Sequence, residues 1–196
     1  VVVVALAVLR PGDDDPEPAA VPPTAASTPV TTAPELPGAT TTTLVTTGRF
    51  LRDEGGPGEV VGHEDSIRTY RVEVEDGAGV PVGDFVAEVD RILSDPRGWT
   101  TADGIGLQRV SDPDDAELII TLATPDLVDV LCFPLITEGH VSCAKEGQAV
   151  INAERWHQGA PPSGLGLEDY RAYLISHEVG HLLGKLAAQL GFSDQL

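Results

Sequence analysis

At 196 residues the chain can hold one ordinary domain plus tails. Its formal net charge of -19 excludes functions that depend on attracting phosphate, because DNA, RNA and anionic lipid headgroups would all be repelled. Hydrophobic residues make up 41%, enough for a core, but aromatics only 5%, so packing is expected to rest on Val, Leu, Ile and Ala.

The chain opens with VVVVALAVL, an apolar run from Val1 to Leu9 followed by Arg10-Pro11. The run is too short to span a bilayer. Residues 1–10 read as the remnant of a signal peptide or membrane anchor, with a buried β-branched strand as the alternative. The chain contains no methionine, so a processed form or a fragment is expected. From Pro11 to Thr47 the composition turns to Pro, Thr, Ala and Asp without apolar periodicity. Residues 11–47 are therefore expected to be a disordered linker, either an inert spacer or a glycosylated stalk.

The folded domain is expected over residues 48–196. Its first stretch is Gly-rich, with room for one short strand, and His63 reads as a surface histidine. Arg68 to Asp76 alternates, with Tyr70, Val72 and Val74 on one face and charges on the other, which predicts a half-buried strand. Pro81 to Ser94 predicts a helix. Phe85, Val89, Ile92 and Leu93 form its apolar stripe, Pro81 suits a first helical position, and Asp95-Pro96-Arg97-Gly98 stops it. Trp99 is expected to anchor the core. Gly106–Val110 and Glu117–Ala123 predict a strand pair, and the continuous apolar run LIITLA predicts a central strand. The acidic turn between them lacks the ordered ligand register of a calcium loop and reads as solvated.

The segment VDVLCFPLITEGHVSCAKEGQAVIN predicts two or three short strands, with turns at Glu138-Gly139 and Glu146-Gly147. Cys132 and Cys143 are the only cysteines and flank the first turn. An even pair in an exported chain reads as a disulfide. The rival is a zinc or redox pair, although the spacing matches no CxxC pattern. His140 and His157 read as turn or surface residues. After the PPSG loop a helix is expected to open at Gly166, with Glu168 and Asp169 complementing its dipole. Tyr170, Leu174, His177 and His181 follow one face, and Leu167, Ile175, Leu182 and Leu186 an adjacent stripe.

That helix carries His177-Glu178-Val179-Gly180-His181. Two histidines four apart stand one turn apart on one face, where imidazoles can share a Zn2+ ion, and a glutamate follows the first of them. Glu178 is the expected general base for hydrolysing a peptide bond without a covalent intermediate.

HEVGHLLG resembles the front of the metzincin consensus HExxHxxGxxH. The order strand, helix, strands, cysteine pair, motif helix also resembles the N-terminal subdomain of metzincins. More closely, YRVEVEDG, LSDPRGW, the Cys132/Cys143 pair, VINAERW and YRAYLISHEVGHLLG resemble a zinc-peptidase-like family of exported bacterial proteins known as a domain of unknown function. The resemblance runs from about Tyr70 to Gly184. It implies an α+β, zincin-like fold: a small mixed sheet with two main helices, the second carrying HEVGH. It implies His177 and His181 as zinc ligands, Glu178 as catalytic base, and Gly184 as the turn that brings round a third ligand.

The departure is at the third-ligand position, which is Ala187 here. Asp194 is the only carboxylate after Gly184 and stands at the wrong spacing; no methionine is present for a Met-turn. The tail KLAAQLGFSDQL reads as a helix continuation and stray end, as a truncated or frame-shifted gene would give. The expected protein is a monomeric, zinc-dependent metallopeptidase-like domain with weakened metal binding. Its partner would be a peptide or protein substrate. The alternative is a non-catalytic module that binds a cell-envelope component, and a nonfunctional fragment is a third reading. The expected location is extracellular or at the cell envelope, with membrane contact only through the N-terminal segment.

Overall fold

The computed structural model describes residues 42–102 and 104–184. The expected signal remnant, all but the last residues of the expected linker, and the tail with Leu186, Ala187 and Asp194 lie outside the described residues.

The fold is mixed α/β, built on a sheet whose middle strand is β3 (Ile67–Glu75). Its nine residues are long enough to take two different neighbours along one edge. β4 (Gly106–Arg109) runs parallel to its first half, with Gly106 opposite Ile67. β1 (Phe50–Arg52) runs antiparallel to its end, with Phe50 opposite Glu75. On the other edge β5 (Leu118–Ala123) is parallel to β3, and β7 (Gln148–Asn152) is parallel to β5. The short antiparallel strands β2 (Val61–Gly62) and β6 (Cys143–Lys145) flank the sheet, giving the order β2-β4-β3-β5-β7-β6. β4 and β5 therefore do not pair with each other, as the sequence suggested, because β3 lies between them. LIITLA is central, as its unbroken apolar run requires.

Parallel neighbours need crossovers, and helices supply them. α1 (Val82–Leu93) follows β3 and buries Phe85, Val89, Ile92 and Leu93. α3 (Pro125–Cys132) follows β5. Short α2 (Trp99–Ala102) precedes β4, and short α4 (Ala153–Gln158) follows β7 and leads to the last helix, α5 (Leu167–Leu182). The main core gathers Val72, Val74, Ile120, Leu122 and Ile151 from the sheet against α1 and α5. A smaller core of Ala123, Val128, Cys132, Cys143 and Val150 lies with α3.

Three expectations change. The charged face of β3 is not solvated: Glu73 and Glu75 are 3% and 0% exposed. Neighbours on both edges enclose them, and each carboxylate is satisfied. Glu73 pairs with Arg52 at 3.1 Å and accepts from the Thr121 hydroxyl at 3.1 Å. Glu75 accepts from the backbone N–H groups of Thr47, Gly48 and Thr124 at 2.6–2.8 Å and from the Thr124 hydroxyl at 2.7 Å. Second, Cys132 ends a helix and not a strand. Pro125 at the first position and Asp126 in the first turn open α3, and Val128 and Cys132 form its buried stripe. The disulfide to Cys143 is present and ties α3 to β6. Third, the chain packs before Gly48. Leu44 rests on the main core, and the Val45 N–H donates to the Gly77 carbonyl at 3.0 Å.

Candidate functional site

α5 starts after Gly166 and brings the HEVGH residues to the sheet. Its middle is fixed from one side by Trp99. The indole N–H donates to the Ser176 carbonyl at 2.8 Å, and the ring lies against Gly180. Leu174, Ile175 and Val179 are buried in the main core. Leu167, expected on the buried stripe, is 38% exposed because the helix begins beyond the edge of that core. After Leu182 the helix stops. Gly184 takes φ +71°, a left-handed conformation natural to glycine, and its N–H returns to the His181 carbonyl at 3.0 Å.

The two imidazoles meet on the outer face. Their Nε2 atoms are 3.1 Å apart and their ring planes nearly perpendicular, at 86°. The Tyr173 ring sits beside His177, with centroids 5.3 Å apart. Glu178, the next residue, lines a part-enclosed cleft and is 5% exposed. Burial pushes its carboxyl up to about 8. The cleft has a volume of about 440 Å³. His177 and Glu178 share it with Tyr170 from α5, Ser142 from the approach to β6, and Arg155 from α4.

Residues 36–191 match the family model described as "Protein of unknown function (DUF3152)". The chain belongs to this family. The match spans every described strand and helix, including the disulfide and HEVGH. No curated protein and no solved structure matches the chain.

The donor set of this DUF3152 domain fits part of a zinc site. Two nitrogens bound to one tetrahedral zinc at ~2.05 Å stand about 3.3 Å apart, close to the separation found here. Among the described residues, however, no three His, Cys, Asp or Glu side chains gather as a metal-binding group. Ala187 and Asp194 lie outside those residues. The other three histidines differ in their placement. His157 Nε2 hydrogen-bonds the Ala78 carbonyl at 2.9 Å, and His63 is exposed before β3. His140 is exposed yet lines the same cleft. Cys132 and Cys143 are consumed by their disulfide.

Sequence reasoning missed Arg155 and Ser142. A signal for Arg155 was available: it follows the C-terminal end of a buried strand, and that end of a parallel strand is where α/β sheets place ligand-facing residues. Ser142 carried no such signal; its hydroxyl is placed by accepting from the Asn152 N–H at 3.0 Å.

Proposed function

We propose that this domain is an exported peptide-bond hydrolase of the zinc-dependent, metzincin-like kind, with His177 and His181 as metal ligands and Glu178 as general base. The observation that carries the reading is the convergence of two imidazole Nε2 atoms within 3.1 Å, on the same helix turn as a buried carboxyl that faces a cleft. Zinc, when bound, supplies a Lewis acid that polarises a carbonyl and acidifies water.

The protein's own residues do the rest. Glu178 takes the proton of the attacking water and returns it to the leaving amine. Its buried position keeps bulk solvent from competing. Trp99 and Gly180 hold the turn between the two histidines, and Tyr173 buttresses the His177 ring. The Cys132–Cys143 disulfide supports an oxidising destination outside the cytoplasm. One observation favours a second reading: Ala187 occupies the position of the third ligand in the metzincin pattern. A domain with two ligands could serve as a non-catalytic envelope-binding module on the same fold.

Zinc content and casein hydrolysis of the purified chain, beside Ala187→His, test the proposal. Weak zinc uptake by the native chain, near-stoichiometric uptake by the variant, and hydrolysis that Glu178→Gln abolishes are expected. If neither chain takes up zinc, the assignment fails. Zinc uptake without hydrolysis in both favours the binding module.

A further inference from the structure

Arg155 is the arginine among the residues that line the cleft. Its chain has 12 Lys and Arg against 31 Asp and Glu, so a nearby carboxylate is the usual fate of a cation. Arg49, Arg52, Arg68, Arg91, Arg97 and Arg109 follow that rule, with carboxylate oxygens at hydrogen-bond distance from Asp76, Glu73, Glu117, Glu88, Asp95 and Asp90 respectively, whereas Arg71 is 3.6 Å from Glu73 and Arg171 donates to the Trp156 carbonyl. Arg155 instead spends its contacts on carbonyls. Nε donates to His140 O at 2.7 Å and Nη1 to Gly159 O at 3.5 Å. The Glu154 carboxylate stays 3.9 Å from Nη2, beyond hydrogen-bond length. A guanidinium has five N–H donors in a planar fork, so this one is oriented by its neighbours without being saturated by them.

The surroundings are those of a ligand site. Val141, Ala160 and Leu174 give the cleft apolar walls, and Tyr170 and Tyr173 give aromatic ones. Its volume of about 440 Å³ falls within the ~300–1,000 Å³ of sites that enclose small ligands. Arg155 and Glu178 act across the same space. Burial pushes the Tyr170 phenol up, the Arg155 charge pulls it down, and the Glu178 charge pushes it up.

We infer that Arg155 makes this cleft selective for a carboxylate on an aliphatic stem, supplied by an acidic side chain or by the C-terminus of a bound peptide, an inference that rests on the peptide-hydrolase reading of the same site. The fork of Arg155 receives the carboxylate, and the apolar walls cover the stem. Two opposing effects set the outcome. The acidic surface repels an acidic peptide at long range, but salt screens charges beyond a Debye length of ~8 Å. Inside the cleft a charge-assisted pair with a part-buried guanidinium, 22% exposed, is screened far less and prevails.

The test uses the full chain and three alanine peptides: one capped at both ends with a central glutamate, one capped at both ends with glutamine in its place, and one with that glutamine, a capped N-terminus and a free C-terminal carboxylate. Binding is followed by NMR titration, including the Arg155 Nε–H signal. One or both of the two carboxylate peptides are expected to bind at least about tenfold more tightly than the capped glutamine peptide. That preference should vanish in Arg155→Gln and persist in part in Arg155→Lys, which keeps the charge but loses the fork. The peptide with a free C-terminus assigns the source: if it alone binds more tightly than the capped glutamine peptide, the cleft takes chain ends; if the glutamate peptide alone does, it takes side chains; if both do, it takes either. Equal binding of all three peptides to the native chain overturns the inference without any variant. So does absence of binding by both carboxylate peptides, or a preference that survives in a folded Arg155→Gln protein. Selective binding without cleavage would sink the hydrolase reading and leave the carboxylate site standing. Cleavage of all three peptides at equal rates would do the reverse.

Discussion

Gly180 lies directly against the indole of Trp99. A Cβ at residue 180 would stand 2.5 Å from Trp99 Cζ2, inside any real carbon–carbon contact. The same indole donates to the Ser176 carbonyl at 2.8 Å. The turn of α5 that separates His177 from His181 is thus fixed by a close approach that only glycine permits. Gly180→Ala brings two effects into opposition. Helix propensity favours alanine by about 1 kcal/mol, whereas overpacking costs about 1–3 kcal/mol. Trp99 is 2% exposed and its indole N–H is tied to the Ser176 carbonyl, so the second effect wins. Urea unfolding is expected to show a net loss of up to about 2 kcal/mol. A variant as stable as the parent would show that the indole yields.

The Cys132–Cys143 bridge closes a loop across a sequence separation of 11. Removing it as Cys132→Ala/Cys143→Ala should cost about 3 kcal/mol by the chain-entropy argument. The cleft should suffer less than the stability. The Gly139 carbonyl is still held by Asn152 Nδ2 at 2.8 Å, and the His140 carbonyl by Arg155 at 2.7 Å. Denaturant titration and peptide binding on the same double variant separate the two effects.

Glu75 provides a pH-dependent clamp on the entering chain. Burial pushes its carboxyl up, but the donors of Gly48, Thr124 and Thr47 outweigh burial and hold it below the ordinary value of 4.5. A carboxylate depressed on folding stabilises fully above its unfolded pKa, and that contribution fades as the pH falls through the folded value. The native chain is therefore expected to lose stability from about pH 4.5 downward. Glu75→Gln should already be destabilised at neutral pH by at least about 2 kcal/mol and should lack this part of the acid slope. A parallel slope in both proteins would show that other carboxylates dominate.

Glu178 is a buried carboxyl kept at a cost in stability, which suits a residue that serves chemistry. Glu178→Gln retains the shape and removes a group whose ionised form burial opposes. The variant is expected to gain on the order of 1 kcal/mol by thermal or urea unfolding while losing all hydrolysis. Loss of stability instead would indicate that the carboxylate is a structural anchor.

The elements most legible in the sequence were those whose residues act through local rules. α1 announced itself by its apolar stripe and proline start, α5 by its glycine boundary and acidic first turn, and β5 by an apolar run too continuous to be half-exposed. What could not be read depends on partners distant in the chain. The burial of Glu73 and Glu75 is set by Arg52, Thr47 and Thr124, which reach β3 only through the sheet order. α3 was hidden because its two apolar anchors, Val128 and Cys132, sit in a stretch rich in residues that also suit strands. At the site, the spacing of His177, Glu178 and His181 was fully visible. The cleft was not, because Ser142 and Arg155 join it from separate elements.

The chain has two tryptophans, and both rest on α5. Trp99 donates to Ser176, and Trp156 has the Arg171 guanidinium 4.8 Å over its ring and its carbonyl bonded to Arg171 Nε at 2.9 Å. All indole emission from this protein therefore originates beside the helix that carries HEVGH. Its wavelength and quenching form a label-free optical record of whether that helix is docked, available during metal addition, peptide binding or unfolding without any added dye.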